Sequence, residues 1–381
     1  MPRPRRSDCR EGGQILVLFA LGLIVLLAGV ALVLEGGNAY QNQRGVQNGA
    51  DAAANAGATV IARHLAGVPK TDAEVAAAVA TSGAFNSLSL VSAYYTNGDG
   101  DPIDASGNVV APASAVVVGA APGDAIPTTP DVSIGIRAAG SRTFPTSFGK
   151  VIGFNNFTAS AEAIAITGRV NGGRFLPVVF PVNITDCSGN GSLGTPKDQW
   201  DISIPDTPPA HPIGTEYIIP LCKTGGGSFM VLDLDGIKNN CEDEVTNPPA
   251  IQWDTFPVDV ASDNGNNCAK QMEDEVNALH GETVLVPICD NNECNTSGGS
   301  HATYHITGVA AFWIDYMSDS NNPNNSLCQS HVNADGQQLV TIAGNGSSSC
   351  LAGYFVRFIT AGPVGAGTIG NGDAIGIQLI K

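Results

Sequence analysis

Residues whose types and spacing could do chemistry are few, and they lie late in the chain. Cys289 and Cys294 form a Cys-x4-Cys pair, followed by His301 and His305 as His-x3-His, four groups of the kind that ligate zinc. The interval between the two pairs is shorter than zinc-finger patterns use, and in an oxidising compartment the thiols close a loop disulfide beside ordinary strand histidines instead. The disulfide is the favoured expectation. Two acidic stretches, Asn97-Gly98-Asp99-Gly100-Asp101 and the group Asp233, Asp235, Glu242, Asp243 and Glu244, invite a calcium reading. Calcium needs about six to eight oxygens. Neither stretch is read as a complete EF-hand loop, so solvated turns are expected at both.

No Gly-x-Ser-x-Gly elbow, Gly-x4-Gly-Lys-Ser/Thr phosphate loop or His-Glu-x-x-His motif occurs. The expectation is therefore a non-enzyme with no catalytic residues, no cofactor, no metal and no small-molecule substrate. Asn-x-Ser/Thr triplets begin at Asn156, Asn183, Asn190, Asn295, Asn324 and Asn345, a pattern that arises easily in an Asn- and Ser-rich chain.

The elements that must position these residues begin with the N-terminus. From Ile15 to Leu34 run twenty residues without a charge, rich in Leu, Val, Ile and Ala. At about 1.5 Å per helical residue they match a hydrocarbon core of about 30 Å. Arg3, Arg5, Arg6 and Arg10 precede the span and no base follows it until Arg44, which predicts a cytoplasmic N-terminus (1–14) and an outward remainder. A small-residue pattern, Gly37-Asn38-Ala39, offers cleavage as the alternative, but the length of the span favours an uncleaved anchor. Gly22, Gly29 and Gly36 recur every seven residues and would share one helix face; Gly45 and Gly49, then Ala50, Ala54 and Ala58, continue small residues at four-residue spacing. Such residues let helices approach closely, so they are the candidates for packing on a neighbouring helix or on the chain's own globular part.

Of nine cysteines, Cys9 precedes the span. The other eight, Cys187, Cys222, Cys241, Cys268, Cys289, Cys294, Cys328 and Cys350, all fall in the second half and read as a disulfide framework of an exported domain. Cys289 with Cys294, and Cys328 with Cys350, are near neighbours; the other connectivities stay open.

Charge divides the chain in the same place. Residues 1–174 carry 12 Lys/Arg and 12 Asp/Glu, whereas 175–381 carry 6 and 23, so the whole formal charge of −17 belongs to the second half. That sign opposes binding to a phosphate backbone and excludes nucleic acid as a partner. With 46 Gly, 23 Pro and aromatics at 6%, the composition suits short strands and many turns.

The pattern predicts an α+β fold. A helix over 38–65 continues the span, Pro69 ends it, and Thr71 with Glu74 makes a capping box for a helix over about 72–82. Strand-prone runs are Leu88–Tyr95, Ala115–Ala120, Val132–Ala138 and Phe157–Ile166, with a short helix over Ser147–Gly153. After a boundary at Gly168–Gly173 come Phe175–Val182, Glu216–Leu221, Phe229–Leu234, Thr283–Ile288, Tyr304–Ile314, Gln338–Ala343 and Tyr354–Ile359, with a helix over Ala269–His280. The resulting division is a basic 1–14, a transmembrane 15–34, a helix and α+β domain over 35–170, and an acidic, disulfide-tied, β-rich domain over 171–381.

The block GGQILVLFALGLIVLLAGVALVLEGGNAYQNQRGVQNGADAAANAGA, Gly12 to Ala58, resembles the N-terminal module of TadE/TadG-like proteins of the Flp (tight adherence) pilus assembly system. TFPTSFGKVIGF with FTASAEAIA, and later NALHGETVLVPICD, ATYHITGVAAFWI and GYFVRFI, are similar to the continuation in longer members. The resemblance implies a membrane-anchored, outward-facing, pseudopilin-like structural or accessory protein whose partners are pilus-assembly proteins and whose setting is cell adhesion. Glu35 stands where that family commonly has Asp, Leu18 stands where a prepilin would carry Glu, and the Asp-x-Ser-x-Ser metal motif of some TadG proteins is absent. The alternative expectation is an anchored extracytoplasmic binding module for calcium or a cell-envelope ligand.

Overall fold

The computed structural model describes residues 12–129, 133–182, 216–221, 230–238, 240–253, 255–263, 268–289, 294, 303–318, 350–365 and 373–380. Cys9, Cys187, Cys222, Cys328, His301, every sequon asparagine except Asn156, and the strand expected over Gln338–Ala343 lie outside the described residues.

Helix α1, Gly12–Leu65, runs unbroken for 54 residues, about 80 Å at 1.5 Å per residue. No proline interrupts it, and its surface changes character along its length. The large apolar side chains between Leu16 and Leu34 are exposed, whereas Val46, Ala50, Ala53, Ala54, Ala58 and Ile61 are buried. Alanines bring the second half of α1 close to the sheet beneath it. Gly57 is the tightest point: a Cβ there would meet Ile136 Cδ1 at 2.4 Å and Val79 Cγ2 at 2.6 Å, so only glycine fits without repacking. The helix ends where Gly67 takes φ +86°. Val68 N donates to Arg63 O and Gly67 N to His64 O, the paired bonds of a Schellman stop.

Helix α2, Asp72–Phe85, starts with the expected capping box: Glu74 N donates to Thr71 Oγ1 and Thr71 N donates to Glu74 Oε2. Strands β1 (Ser89–Asn97), β2 (Ile134–Pro145) and β3 (Asn156–Val170) follow and pair antiparallel in sequence order. The run Ala115–Ala120, expected as a strand, makes only a bridge from Val117 to Tyr94 beside β1. The helix expected over Ser147–Gly153 is a 3-10 turn, Gly149–Ile152.

The chain then leaves this sheet. It adds β4 (Gly172–Arg174), β5 (Phe180–Pro181), β6 (Tyr217–Pro220), α3 (Cys241–Thr246), β7 (Ala250–Gln252), β8 (Val258–Ala261), α4 (Cys268–Ala278), β9 (Thr283–Cys289), β10 (Thr303–Ser318) and β11 (Cys350–Val356). A second sheet runs β5-β9-β10-β11-β6 with β8 also on β10, and β4 pairs with β7 separately. The run Phe175–Val182 yields only a two-residue strand, because Pro177 and Pro181 offer no N–H to a ladder. Of the run Phe229–Leu234, the described residues from Met230 on contribute bridges at Val231 and Leu232. Aromatic packing of Phe180, Phe312 and Phe355 fills the second core.

Finally β12 (Ile359–Ala361), β13 (Val364–Gly365) and β14 (Ile375–Leu379) return to the first sheet, where β14 pairs antiparallel with β3. The first sheet is thus ordered β1-β2-β3-β14-β12, with β13 on β3. The division at 170/171 made from charge and composition leaves out this return: the second sheet is an insertion between two neighbouring strands of the first. A composition shift marks where a chain changes surface, and it carries no information on where the chain comes back. The fold is a mixed α+β one, as the helix and strand patterns predict.

Candidate functional site

The feature that sets this molecule apart is α1, and the structure divides its small residues into two groups. Ala50, Ala54 and Ala58 are fully buried in the chain's own lobe. Gly49 faces Asn86 and Leu88, with Asn86 Cβ 3.3 Å from where its own Cβ would stand. At Gly22, Gly29, Gly36 and Gly45 an added Cβ would meet nothing within 4 Å. Among the described residues, therefore, the span's glycines lie against nothing in this chain. The helix is long and apolar enough over this part to cross a membrane.

The helix is held to its lobe by polar contacts at graded heights. Gln47 Nε2 donates to Glu162 O, Gln43 Nε2 donates to Ser160 O, and the Glu35 carboxylate accepts from Ser147 N and Phe148 N, each at 3.0 Å to Oε2. In the sequence alone Glu35 is a departure from the Asp of the similar proteins. Its extra methylene belongs to a side chain that reaches the loop joining β2 to β3.

Two internal supports were not foreseen. Asp72, the first residue of α2, is buried; its Oδ1 accepts from Tyr95 Oη (2.7 Å) and Gly119 N (2.8 Å), and its Oδ2 accepts from Ala121 N (2.8 Å). Arg169 at the end of β3 pairs with Asp373 just before β14, Nε to Oδ2 at 3.0 Å, and its guanidinium lies 4.6 Å from the Phe256 ring centre. No motif could have shown either; a charged residue within an otherwise apolar run, as at Arg169, is the only sequence signal.

In the second lobe, Cys289 and Cys294 are disulfide-bonded, the outcome favoured over zinc, and Cys241 is bonded to Cys268. The second bridge fastens α3 to α4. Cys350 is disulfide-bonded as well. His305 turns to Asp259 on β8, Nδ1 to Oδ1 at 2.8 Å, so it is a strand histidine paired across the sheet.

The acidic stretches differ from each other. Asn97 Oδ1 accepts from Asp99 N and Asp101 N, which makes that stretch the expected solvated turn. In the other stretch Asp233, Asp235 and Glu244 are drawn together, with one carboxylate oxygen from each within 4.8 Å of the others, while Glu242 and Asp243 stay exposed. Lys238 Nζ lies 2.6 Å from Asp233 Oδ2 and also donates to Ser262 O, supplying a positive charge from within the chain. Glu244 is 1% exposed; its Oε1 accepts from Leu234 N and Asp235 N, and its Oε2 is buried without a hydrogen-bond partner. Burial, reinforced by the Asp235 and Asp233 charges and opposed by the two amides, pushes the Glu244 carboxyl up to about 7.

That shift has a definite sign. A carboxyl whose folded pKa exceeds its unfolded one binds its proton more tightly in the folded state, so its contribution is complete below about pH 4.5 and is lost as pH rises through about 7. Raising pH from 5 to 8 is expected to destabilise the second lobe by an amount on the order of 2 kcal/mol. In Glu244→Gln, which keeps an acceptor for the two amides, that slope disappears. Denaturant midpoints across this pH range test it, and an unchanged slope in the variant would refute the assignment to Glu244.

Comparison with known proteins bears on the first of these features. The Tad family model, described as Flp pilus-assembly TadE/G-like, matches residues 13–60. Those residues are the span and the glycine- and alanine-rich stretch that enters the lobe. No curated protein and no solved structure matches the chain. Over α1, where the apolar span continues into a helix buried by its own lobe, the chain is similar to the TadE/TadG-like proteins of Flp pilus assembly.

Proposed function

We propose that the protein is a membrane-anchored structural or accessory component of Flp/Tad pilus assembly, with both sheets outside the membrane and its N-terminus in the cytoplasm. One observation carries the reading: a single rigid helix whose first half is apolar and exposed and whose second half is clamped into a folded lobe. Water does not favour nineteen consecutive mainly apolar side chains on all faces of a helix, whereas lipid does. The basic residues before the span set its direction. The role is architectural rather than catalytic: Gly22, Gly29 and Gly36 leave a narrow face for a neighbouring helix in the membrane, and the acidic lobe is presented outward.

The test is protease treatment of intact cells producing the full chain, followed by detection of both ends. Digestion of the region after residue 175 with retention of a membrane-embedded N-terminal fragment is the expected outcome. Protection of that region until the membrane is breached would overturn the topology. A photocrosslinking side chain at Gly29, in cells carrying a Tad system, is expected to capture another pilus-assembly protein through its apolar segment; a control crosslinker at Asp99, on the outer lobe, should not.

A further inference from the structure

The loop that joins β2 to β3 carries an apolar surface that nothing among the described residues covers. Val151 is 85% exposed, Phe154 58% and Phe148 42%, and the exposed Lys150 stands among them. Scattered exposed apolar residues need no explanation, but three within seven residues at the tip of one hairpin form a patch.

Position distinguishes this patch. Along α1 the contacts fall in order: Gln47 with Glu162, Gln43 with Ser160, Glu35 with Ser147 and Phe148. Moving from the body of the hairpin toward its tip is therefore moving down α1 toward the span. Glu35 is the residue directly after Leu34, at the end of the uncharged segment. Its carboxylate holds the base of the tip at that height, and residues 149–154 project from there.

Most of the tip's backbone amides are also satisfied within the protein. Thr146 N donates to Asn155 O, Val151 N to Phe148 O, Gly153 N to Lys150 O and Phe154 N to Gly149 O, while Ser147 N and Phe148 N are taken by Glu35. A loop can enter an apolar medium only if its backbone polar groups are satisfied internally. Loops placed in water have no such requirement.

We infer that the β2–β3 tip is a second membrane contact, seating Phe148, Val151 and Phe154 in the interfacial layer of the bilayer that α1 crosses, with the Lys150 ammonium among the lipid headgroups. The inference rests on the anchored reading of α1. Apolar and aromatic side chains on one face with a basic residue at its rim are the composition of interfacial segments, and a lysine stem lies along acyl chains while its charge stays in water. The contact fixes the tilt of the outer lobe relative to the membrane, because helix and hairpin then touch the surface at two separate points.

The test uses the full chain in phosphatidylcholine vesicles, with either lipid brominated near the headgroup end of the acyl chains or unbrominated lipid. Val151→Trp adds a reporter at the most exposed tip position; Leu27→Trp adds one within the span. The emission added by Val151→Trp is expected to fall about two-fold in brominated vesicles, as for a residue in the interfacial layer. The emission added by Leu27→Trp should be quenched when the bromines are placed near the chain ends. Quenching at Leu27 without quenching at Val151 overturns the tip contact and leaves the anchor standing. A blue-shifted but unquenched Val151→Trp signal overturns it too, since a protein surface then covers the tip. Absence of quenching at both positions removes the anchored reading itself.

Discussion

Replacing Asp373 by alanine is expected to lower stability by about 3–5 kcal/mol, the cost of leaving one partner of a buried ion pair uncompensated. The Asp373 side chain is fully buried and its partner Arg169 is only 11% exposed. The pair stands where the two sheets meet. Arg169 ends the pairing of β3 with β14, and Asp373 lies opposite Ala310 of β10 in an isolated bridge. Gly308 makes room below: a Cβ there would lie 1.8 Å from Arg169 Nη2. The double replacement Arg169→Met with Asp373→Leu removes both charges and should recover most of the loss, because well-packed apolar groups often substitute for a buried pair at little cost. Denaturant unfolding of the detergent-solubilised chain, followed by the emission of its tryptophans, Trp200, Trp253 and Trp313, measures both. If Asp373→Ala shifts stability by less than about 1 kcal/mol, the pair is not what joins the sheets.

Asp72→Ala is the second large effect, expected at about 2–4 kcal/mol, since it strands buried donors rather than merely deleting a contact. Tyr95 Oη, Gly119 N and Ala121 N all donate to this carboxylate, and Tyr95 is fully buried. Burial first, then the hydrogen bond to Asp72, push the Tyr95 hydroxyl well above the ordinary tyrosine range. Asp72 thus ties the start of α2, β1 and the segment after Val117 to a single point. Hydrogen exchange is the informative measurement: the Gly119 and Ala121 amides should lose protection in Asp72→Ala while those of β9 and β10 keep theirs. Equal loss in both lobes would place the effect elsewhere.

What could be read from the sequence was local. The span needs only composition and length, the capping box at Thr71 and Glu74 is a four-residue pattern, and Cys289 with Cys294 closes a loop too short for many alternatives. The apolar alternations over Thr283–Ile288 and Tyr304–Ile314 became β9 and β10 with errors only at their ends, whereas Tyr354–Ile359 overlaps β11 only from Tyr354 to Val356. Alternatives stayed open where the deciding partner is distant. Ala50, Ala54 and Ala58 have the same spacing whether they face a neighbouring helix or their own sheet; Ala163 and Ala165 of β3, over 100 positions away, settle it. Glu244 looks like one more acidic surface residue until the folding of α3 brings it under Leu234 and Asp235. Gly57 gave no signal at all, because its role depends on Ile136 and Val79.

The return of β14 to β3 sets an order of events for a chain that is synthesised from its N-terminus. Val170 of β3 and Ile375 of β14 are separated by the whole inserted lobe, yet β3 lacks its neighbour on that side until β14 arrives. At a synthesis rate of about 5–20 residues per second, the roughly 200 intervening residues take on the order of 10–40 s to emerge. During that interval β3 is an open edge, and open edges pair with whatever strand is offered. The inserted lobe can fold while it waits, and its bridges Cys241–Cys268 and Cys289–Cys294 join residues close in sequence, so they need nothing from the C-terminus. Closure of the first sheet then reports that the last strand has been made, and a chain truncated before Asp373 would lose that strand and the ion pair together.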